Sequence, residues 1–288
     1  MDVELGEFLR ACRGRLRPAD VGLPQPTSRR RVTGLRREEL AQLAGVSADY
    51  YTRLEQGRNR TASPAVLDAL ARALRLDDTA RSHLFDLAGP ALAQPRRDLP
   101  CAQRVRPVTV RLLEVLDGAR CPAFVLGRRT DVLFTNRLAA ALITDFDARP
   151  APERNYGRFV FLDPYARKLY PDWDEVVANV AAMLRLDAGR NPGDPWLGKL
   201  VEDLSAASEP FRRYWAAHQV HAHTEGPKRY RHPVVGDLTV TYQALMITGA
   251  DDQELIVYTT EPGSASETAI RHLSGWESPA AWGGKPRQ

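Results

Sequence analysis

A chain of 288 residues exceeds what one hydrophobic core usually organises, so two domains are expected. Its 43% hydrophobic and 26% charged residues exclude a disordered or fibrous protein, and no apolar run approaches the ~20 residues of a membrane helix. The formal net charge is only +4, but residues 1–60 hold 12 arginines against 8 acids, whereas residues 91–288 hold 25 basic residues against 24 acidic ones. That asymmetry suits a module at the start of the chain that binds a polyanion.

Residues 1–20 alternate charged and apolar positions and lack a secretory core, so a cytoplasmic protein is expected, nucleoid-associated when bound to DNA. Leu5, Leu9, Cys12 and Leu16 recur at helical spacing and predict a first amphipathic helix. Residues 18–34, with several prolines and the run Arg29-Arg30-Arg31, read as an irregular loop. That basic run is either an extra phosphate or minor-groove contact or a solvated surface. Residues 36–44 put Leu40, Leu43 and Ala44 on one face. Gly45-Val46-Ser47 then makes a sharp turn, and Ser47 is a good N-cap for a helix over 48–56. Ser63-Pro64 opens a fourth helix with Val66, Leu67, Leu70, Ala71 and Leu74 inward, and residues 78–88 form a fifth. Residues 89–107, rich in proline and arginine, mark the boundary, with a linker over 91–106.

Beyond it the pattern changes. Residues 123–127 and 132–135 read as a hairpin, then come helices over 172–187, 194–206 and 209–217 and strands over 229–235, 238–248 and 254–260. Leu238, Val240, Tyr242, Ala244 and Met246 alternate with polar neighbours, as in a half-buried strand. The expected layout is an all-α five-helix domain over 1–90, then an α+β domain with an antiparallel sheet over 107–273 and a disordered tail over 274–288. Cys12, Cys101 and Cys121 have no metal-ligand spacing and read as small buried apolar residues.

Two short helices joined by a tight turn over one apolar core are what a helix-turn-helix requires, and Leu40, Leu43, Ala44, Val46, Tyr51 and Leu54 are spaced to close that core. The run Leu40-Ala41, Ala44-Gly45-Val46-Ser47, Leu54-Glu55 and Gly57 resembles the phage-repressor-like (xenobiotic-response-element) helix-turn-helix family. The resemblance implies that Ala48, Asp49 and Arg53 reach base edges in the major groove, with Asp49 either accepting from cytosine or orienting a neighbouring arginine. It implies phosphate contacts from Arg37, Ser47, Arg58, Asn59 and Arg60.

The segments 121–136, 154–175, 208–215, 228–242 and 258–267 are similar, in order, to the ligand-binding domain of MmyB-like actinobacterial regulators. This resemblance implies a PAS-like fold whose helices and sheet enclose a lipophilic pocket suited to a fatty-acid-like effector. The chain departs from the family at Phe134-Thr135-Asn136, where a tryptophan usually precedes the asparagine. The candidate pocket comprises Phe124, Leu126, Phe134, Asn136, Asn155, Arg158, Phe159, Tyr242 and Tyr258. On residue type alone the aromatics read equally as packed core, and Asn136, Asn155 and Arg158 read either as headgroup contacts or as caps and turn bonds.

His218, His221 and His223 form an HxxHxH run with no acid or cysteine spaced to complete a metal site, and no P-loop, GxSxG, HExxH or dinucleotide fingerprint is present. The sequence therefore predicts a non-enzymatic, homodimeric regulator without cofactor or metal. Its partners are double-stranded DNA, as a pseudo-palindromic operator, and a lipophilic effector. The competing reading makes the second half a dimerisation or protein-docking module with no small-molecule ligand.

Overall fold

The computed structural model describes residues 2–23, 34–58, 62–89, 103–191, 193–220, 224–250 and 252–275. The Arg29-Arg30-Arg31 run, Asn59, Arg60, Cys101, His221, His223 and the tail beyond 275 lie outside them. The chain divides into two compact units. One contains residues 1–99 with 185–195 and 213–221; the other contains 100–184, 196–212 and 222–288.

The first unit contains the five expected helices: α1 (Asp2–Arg15), α2 (Arg37–Leu43), α3 (Ala48–Glu55), α4 (Pro64–Ala73) and α5 (Asp78–Ala88). The starts of α3, α4 and α5 each have a local cause. The Ser47 hydroxyl accepts from the Tyr50 amide at 3.1 Å, Ser63 from Val66 at 3.4 Å and Asp77 from Ala80 at 2.7 Å. The stops of α2 and α3 are built alike. Gly45 and Gly57 take φ of +66° and +68°. Their amides and those of the next residues return to Gln42 and Ala41, and to Leu54 and Arg53. Phe8, Leu9, Leu40, Tyr51, Leu54, Leu70 and Leu84 fill the core.

The second unit is the expected PAS-like α+β domain with an antiparallel sheet. Its strands are β1 (Ala123–Leu126), β2 (Val132–Thr135), β3 (Glu225–His232), β4 (Gly236–Met246) and β5 (Glu254–Thr259), in the order β2-β1-β5-β4-β3. Every neighbouring pair is antiparallel. The strand expected over 229–235 begins earlier and ends at His232. Pro233, Val234 and Val235 form the turn instead, because proline donates no ladder hydrogen bond. β3 is an edge strand, which is why it tolerates Pro227.

Between and around the strands lie α6 (Pro107–Gly118), α7 (Arg137–Leu142), α8 (Tyr156–Leu162), α9 (Pro164–Leu169), α10 (Trp173–Arg190), α11 (Pro195–Ala207), α12 (Glu209–Ala216) and α13 (Ala265–Gly275). The sequence predicted α10, α11 and α12 only. α6 packs Leu113 on one sheet face, against Ala123, Val125 and Leu255. The opposite face carries Phe124, Ile256, Tyr258, Val240, Lys228 and Tyr230 by strand alternation and register. This second face builds the site described below.

Gly6 of α1 fixes how closely α1 and α3 approach, since a Cβ there would sit 2.2 Å from the Glu55 carbonyl oxygen, whereas one at Gly14 meets nothing within 4 Å. Gly6→Ala should lower the urea midpoint of unfolding substantially. Gly14→Ala, inside the same helix, should raise stability by roughly 0.5–1 kcal/mol. Equal shifts in the two variants would show that the close approach is not a constraint.

Candidate nucleic-acid interface and ligand-binding domain

In the first unit the outer face of α3 carries Asp49 and Arg53. Their side chains are 77% and 50% exposed and pair across one turn at 3.1 Å. Asp49 thus stands where it orients Arg53, one of the two roles considered for it. An exposed pair of this kind is weak, so the guanidinium is free to exchange the aspartate for another acceptor. Ala48, in the first turn, is half-buried, and Ser47 is exposed with its hydroxyl occupied by the cap. Arg58 is exposed immediately beyond α3.

The inner side of α3 ends on a carboxylate. The Glu55 side chain is fully buried and receives Arg13 Nη2 at 3.0 Å, Arg37 Nη2 at 2.9 Å and Arg10 Nε at 3.3 Å. Arg13 also donates to the Leu35 carbonyl oxygen at 2.6 Å. Burial pushes the Glu55 carboxyl pKa up, but the Arg13 and Arg37 hydrogen bonds outweigh it and hold the group below its ordinary value. Arg37, expected on phosphate, turns its Nε and Nη2 to Glu55 while its side chain stays 40% exposed. Sequence reading used Glu55 only as part of a pattern. Its role arises from partners 18 to 45 residues away, which local periodicity does not reveal.

In the second unit the candidate pocket residues separate. Phe124, Leu126, Phe159 and Tyr258 are buried and Tyr242 is half-buried. Phe124 lies 6.1 Å from Tyr156 and 5.9 Å from Tyr258 between ring centroids, and Phe159 lies 5.7 Å from Phe146. Phe134 does not join them. It pairs with Val125 and packs on the α6 side, because strand alternation sends it to the other face.

Asn136 and Asn155 are corrected to structural caps. Asn136 Oδ1 accepts from Ala123 and Ala139, while Nδ2 donates to the Cys121 and Leu113 carbonyl oxygens. Asn155 Oδ1 accepts from Arg158, and its Nδ2 donates to Arg129 and Asp131. Arg158 itself is held by Asp203 at 2.5 Å.

Sequence reading missed the polar centre of this face. Lys228 Nζ donates to Tyr156 Oη at 2.7 Å and stands 4.9 Å from the Tyr170 ring centroid. Tyr156 Oη is 3.1 Å from Tyr170 Oη. The fully buried Tyr230 hydroxyl faces Tyr258 and Tyr170 but makes no hydrogen bond of ordinary geometry among the described residues. Burial lowers the Lys228 ammonium pKa to about 7 and lifts the phenols Tyr156, Tyr170, Tyr230 and Tyr258 well above theirs. A signal was available: Lys228 shares its strand face with Tyr230 and His232 at alternate positions. The expected strand began one residue too late to include it.

His232 Nε2 lies 3.0 Å from the Ala141 carbonyl oxygen. Cys12 is buried and Cys121 half-buried. No group of three or more His, Cys, Asp or Glu is placed to hold a metal among the described residues, and none of their helices is long and apolar enough to cross a membrane.

Residues 105–273 match the family model of the MmyB-like transcription regulator ligand binding domain, and residues 4–84 match a helix-turn-helix domain model. No curated protein matches the chain.

Glu55→Gln should cost about 3 kcal/mol at pH 7 by leaving the arginine cluster short of its anion. Because the folded-state pKa is depressed, the wild-type advantage should be complete above about pH 4.5 and vanish as pH falls through the folded value. Urea denaturation of both proteins between pH 3 and 7 measures it; a stability gap independent of pH would refute the account.

Proposed function

From a chain that belongs to the MmyB-like transcription regulators, and is thus a DNA-binding regulator with a ligand-binding domain, we propose an operator-reading factor controlled by a lipophilic, fatty-acid-like effector. The observation that carries the DNA part is the two-sided character of α3, with Asp49 and Arg53 outward and Tyr51, Leu54 and Glu55 buried. An α-helix of this kind enters the major groove, and an arginine fork suits guanine O6 and N7. Arg58 and the Ser47 turn grip the backbone; Ala48 lies beside a thymine methyl. Asn59 and Arg60 extend the phosphate grip in this reading.

One such helix reads half a site, so the factor acts as a homodimer on a pseudo-palindromic duplex. Val108, Leu112 and Val115, exposed at helical spacing along α6, offer apolar surface for a second copy. In this reading the effector lies against Phe124, Tyr242 and Tyr258 of the sheet and Phe159 of α8. It shifts regulation by binding two conformations unequally. No catalytic step and no metal enter this reading, and a cytoplasmic setting suits it.

Two experiments test these halves. In binding assays on a duplex selected from random sequence, Arg53→Ala should lose about 1–3 kcal/mol of discrimination at one base position. Arg58→Ala should weaken all sequences alike and reduce the salt dependence by about one phosphate contact. Equal, sequence-independent losses would count against the major-groove assignment. Ala244→Trp, on the half-buried stretch of β4 beside Tyr242, should abolish response to an effector while sparing operator binding. An intact response would remove that face from consideration.

A further inference from the structure

We propose that His83, Arg185 and His218 form a proton-operated clasp: neutral imidazoles keep residues 185–195 and 213–221 seated on α1 and α5, and acid releases them. The consequence for DNA rests on the operator-reading proposal; the clasp itself does not.

Both segments belong to the first unit, and their Leu186 and Val220 join its apolar core. Buried polar groups lie beside that contact. Arg185, near the end of α10, holds its guanidinium 3.6 Å from the centre of the Trp215 ring and donates Nη2 to the Trp215 carbonyl oxygen at 2.5 Å. Its Nε has no hydrogen-bond partner among the described residues, and Glu4 and Glu7 of α1 act on it only at a distance. His83 of α5 is buried, and neither of its ring nitrogens has a hydrogen-bond partner among the described residues. The fit is tight: a Cβ on Gly189 would lie 2.6 Å from the His83 ring. No room for a water molecule remains among Glu4, His83, Arg185, Gly189 and His218. His218, just past α12, is buried with Nε2 3.4 Å from Glu7.

A proton added to either ring brings a second desolvated cation beside a buried guanidinium, and at His83 the new N–H meets neither acceptor nor water. The charged groups facing the two imidazoles are Glu4, Glu7 and Arg15 on α1 and Arg185 and Arg190 on α10. Glu7 is half-exposed, so its attraction is screened. Burial, and after it the charge of Arg185, lowers the pKa of both histidines to about 4. Released histidines, near the ordinary 6.5, take up protons more readily than seated ones. The clasp is therefore complete above about pH 7.5 and is lost progressively as pH falls through 6.5 toward 4. Two such groups together shift the balance from seated to released by about tenfold between pH 7.5 and 6. The effect reaches the DNA reader through α1. Phe8 meets the His83 ring at 5.1 Å, and Arg10 and Arg13 of the same helix hold Glu55 at the end of α3. Release loosens α1, and acid thereby weakens the hold on the operator.

Hydrogen exchange on the full-length protein, corrected for intrinsic rates, tests the clasp. Amides of residues 186–190 and 213–218 should lose about tenfold in protection between pH 7.5 and 6. At both pH values they should stay about tenfold or more below Leu67, Leu70 and Ala71 of α4, as local release requires. The double variant His83→Leu with His218→Asn, which keeps at 218 a residue tolerant of the φ of +48°, should confine the loss to about twofold. Both wild-type imidazoles, followed by NMR, should titrate below about pH 5, a readout independent of whether the variant folds. Imidazoles titrating near their ordinary value, wild-type protection indifferent to pH, or an unchanged pH dependence in the variant overturns the clasp. Protection equal to that of α4 overturns it as well, since release is then global unfolding. Saturating duplex selected from random sequence should restore protection at pH 6 by about threefold or more, because coupling is reciprocal. Bound duplex without that effect overturns the link to α3 alone. Failure of every duplex to bind overturns the operator reading, and the exchange and NMR results still decide the clasp.

Discussion

A single carboxylate organises the DNA-reading unit. Glu55 closes α3 and takes hydrogen bonds from α1 through Arg10 and Arg13 and from α2 through Arg37. An anion buried among three guanidinium groups stays charged and tolerates little change in geometry, because each lost bond leaves a desolvated charge behind. The orientation of α3 is therefore set from its C-terminal end. Ser47 sets the other end, and Gly6 admits the close crossing of α1. With both ends and the inner face fixed, the remaining face of α3 is a rigid platform. Arg53 projects from it, tethered only by an exposed aspartate that is readily exchanged.

The ligand-binding domain has a comparable logic on a sheet. Antiparallel pairing and strict alternation give its two faces different chemistry. One face is covered by α6 through Leu113 over Val125 and Leu255, an aliphatic contact that asks for no partner. The other gathers phenols, phenylalanines and one lysine, a mixture that is expensive to bury unless its polar atoms are matched. Tyr156 and Tyr170 match each other, and Lys228 is matched in part. The Tyr230 hydroxyl makes no hydrogen bond of ordinary geometry among the described residues.

Much of the first unit was legible because its helices are amphipathic and punctuated. Ser47, Ser63 and Asp77 cap them, and Gly45 stops α2 where the pattern changes. The sheet was legible where polar and apolar residues alternate, as in β4. It was not at the β3–β4 turn, where Val234 and Val235 look like strand residues but follow a proline. α8 escaped notice because Tyr156-Gly-Arg-Phe-Val-Phe-Leu162 is apolar nearly all round, and a short buried helix then has no periodicity to display. The candidate ligand residues divided along the same line. Inward aromatics such as Phe124 and Tyr258 follow from alternation, whereas Asn136 and Asn155 turned out to serve helix starts, and Lys228 acquires its meaning from Tyr156, 72 residues earlier. Charges completed across long sequence separations are invisible to local pattern.

The central claim is that α3 offers its outer face to DNA while its inner face is locked by Glu55. Amide NMR of the protein titrated with a duplex selected from random sequence tests it most directly. The account predicts the largest shift changes at Ala48, Asp49 and Arg53, with the Glu55 and Tyr51 signals staying at their free-protein positions. Large changes at Glu55 and Tyr51, or perturbations that leave the outer face of α3 untouched, would contradict it.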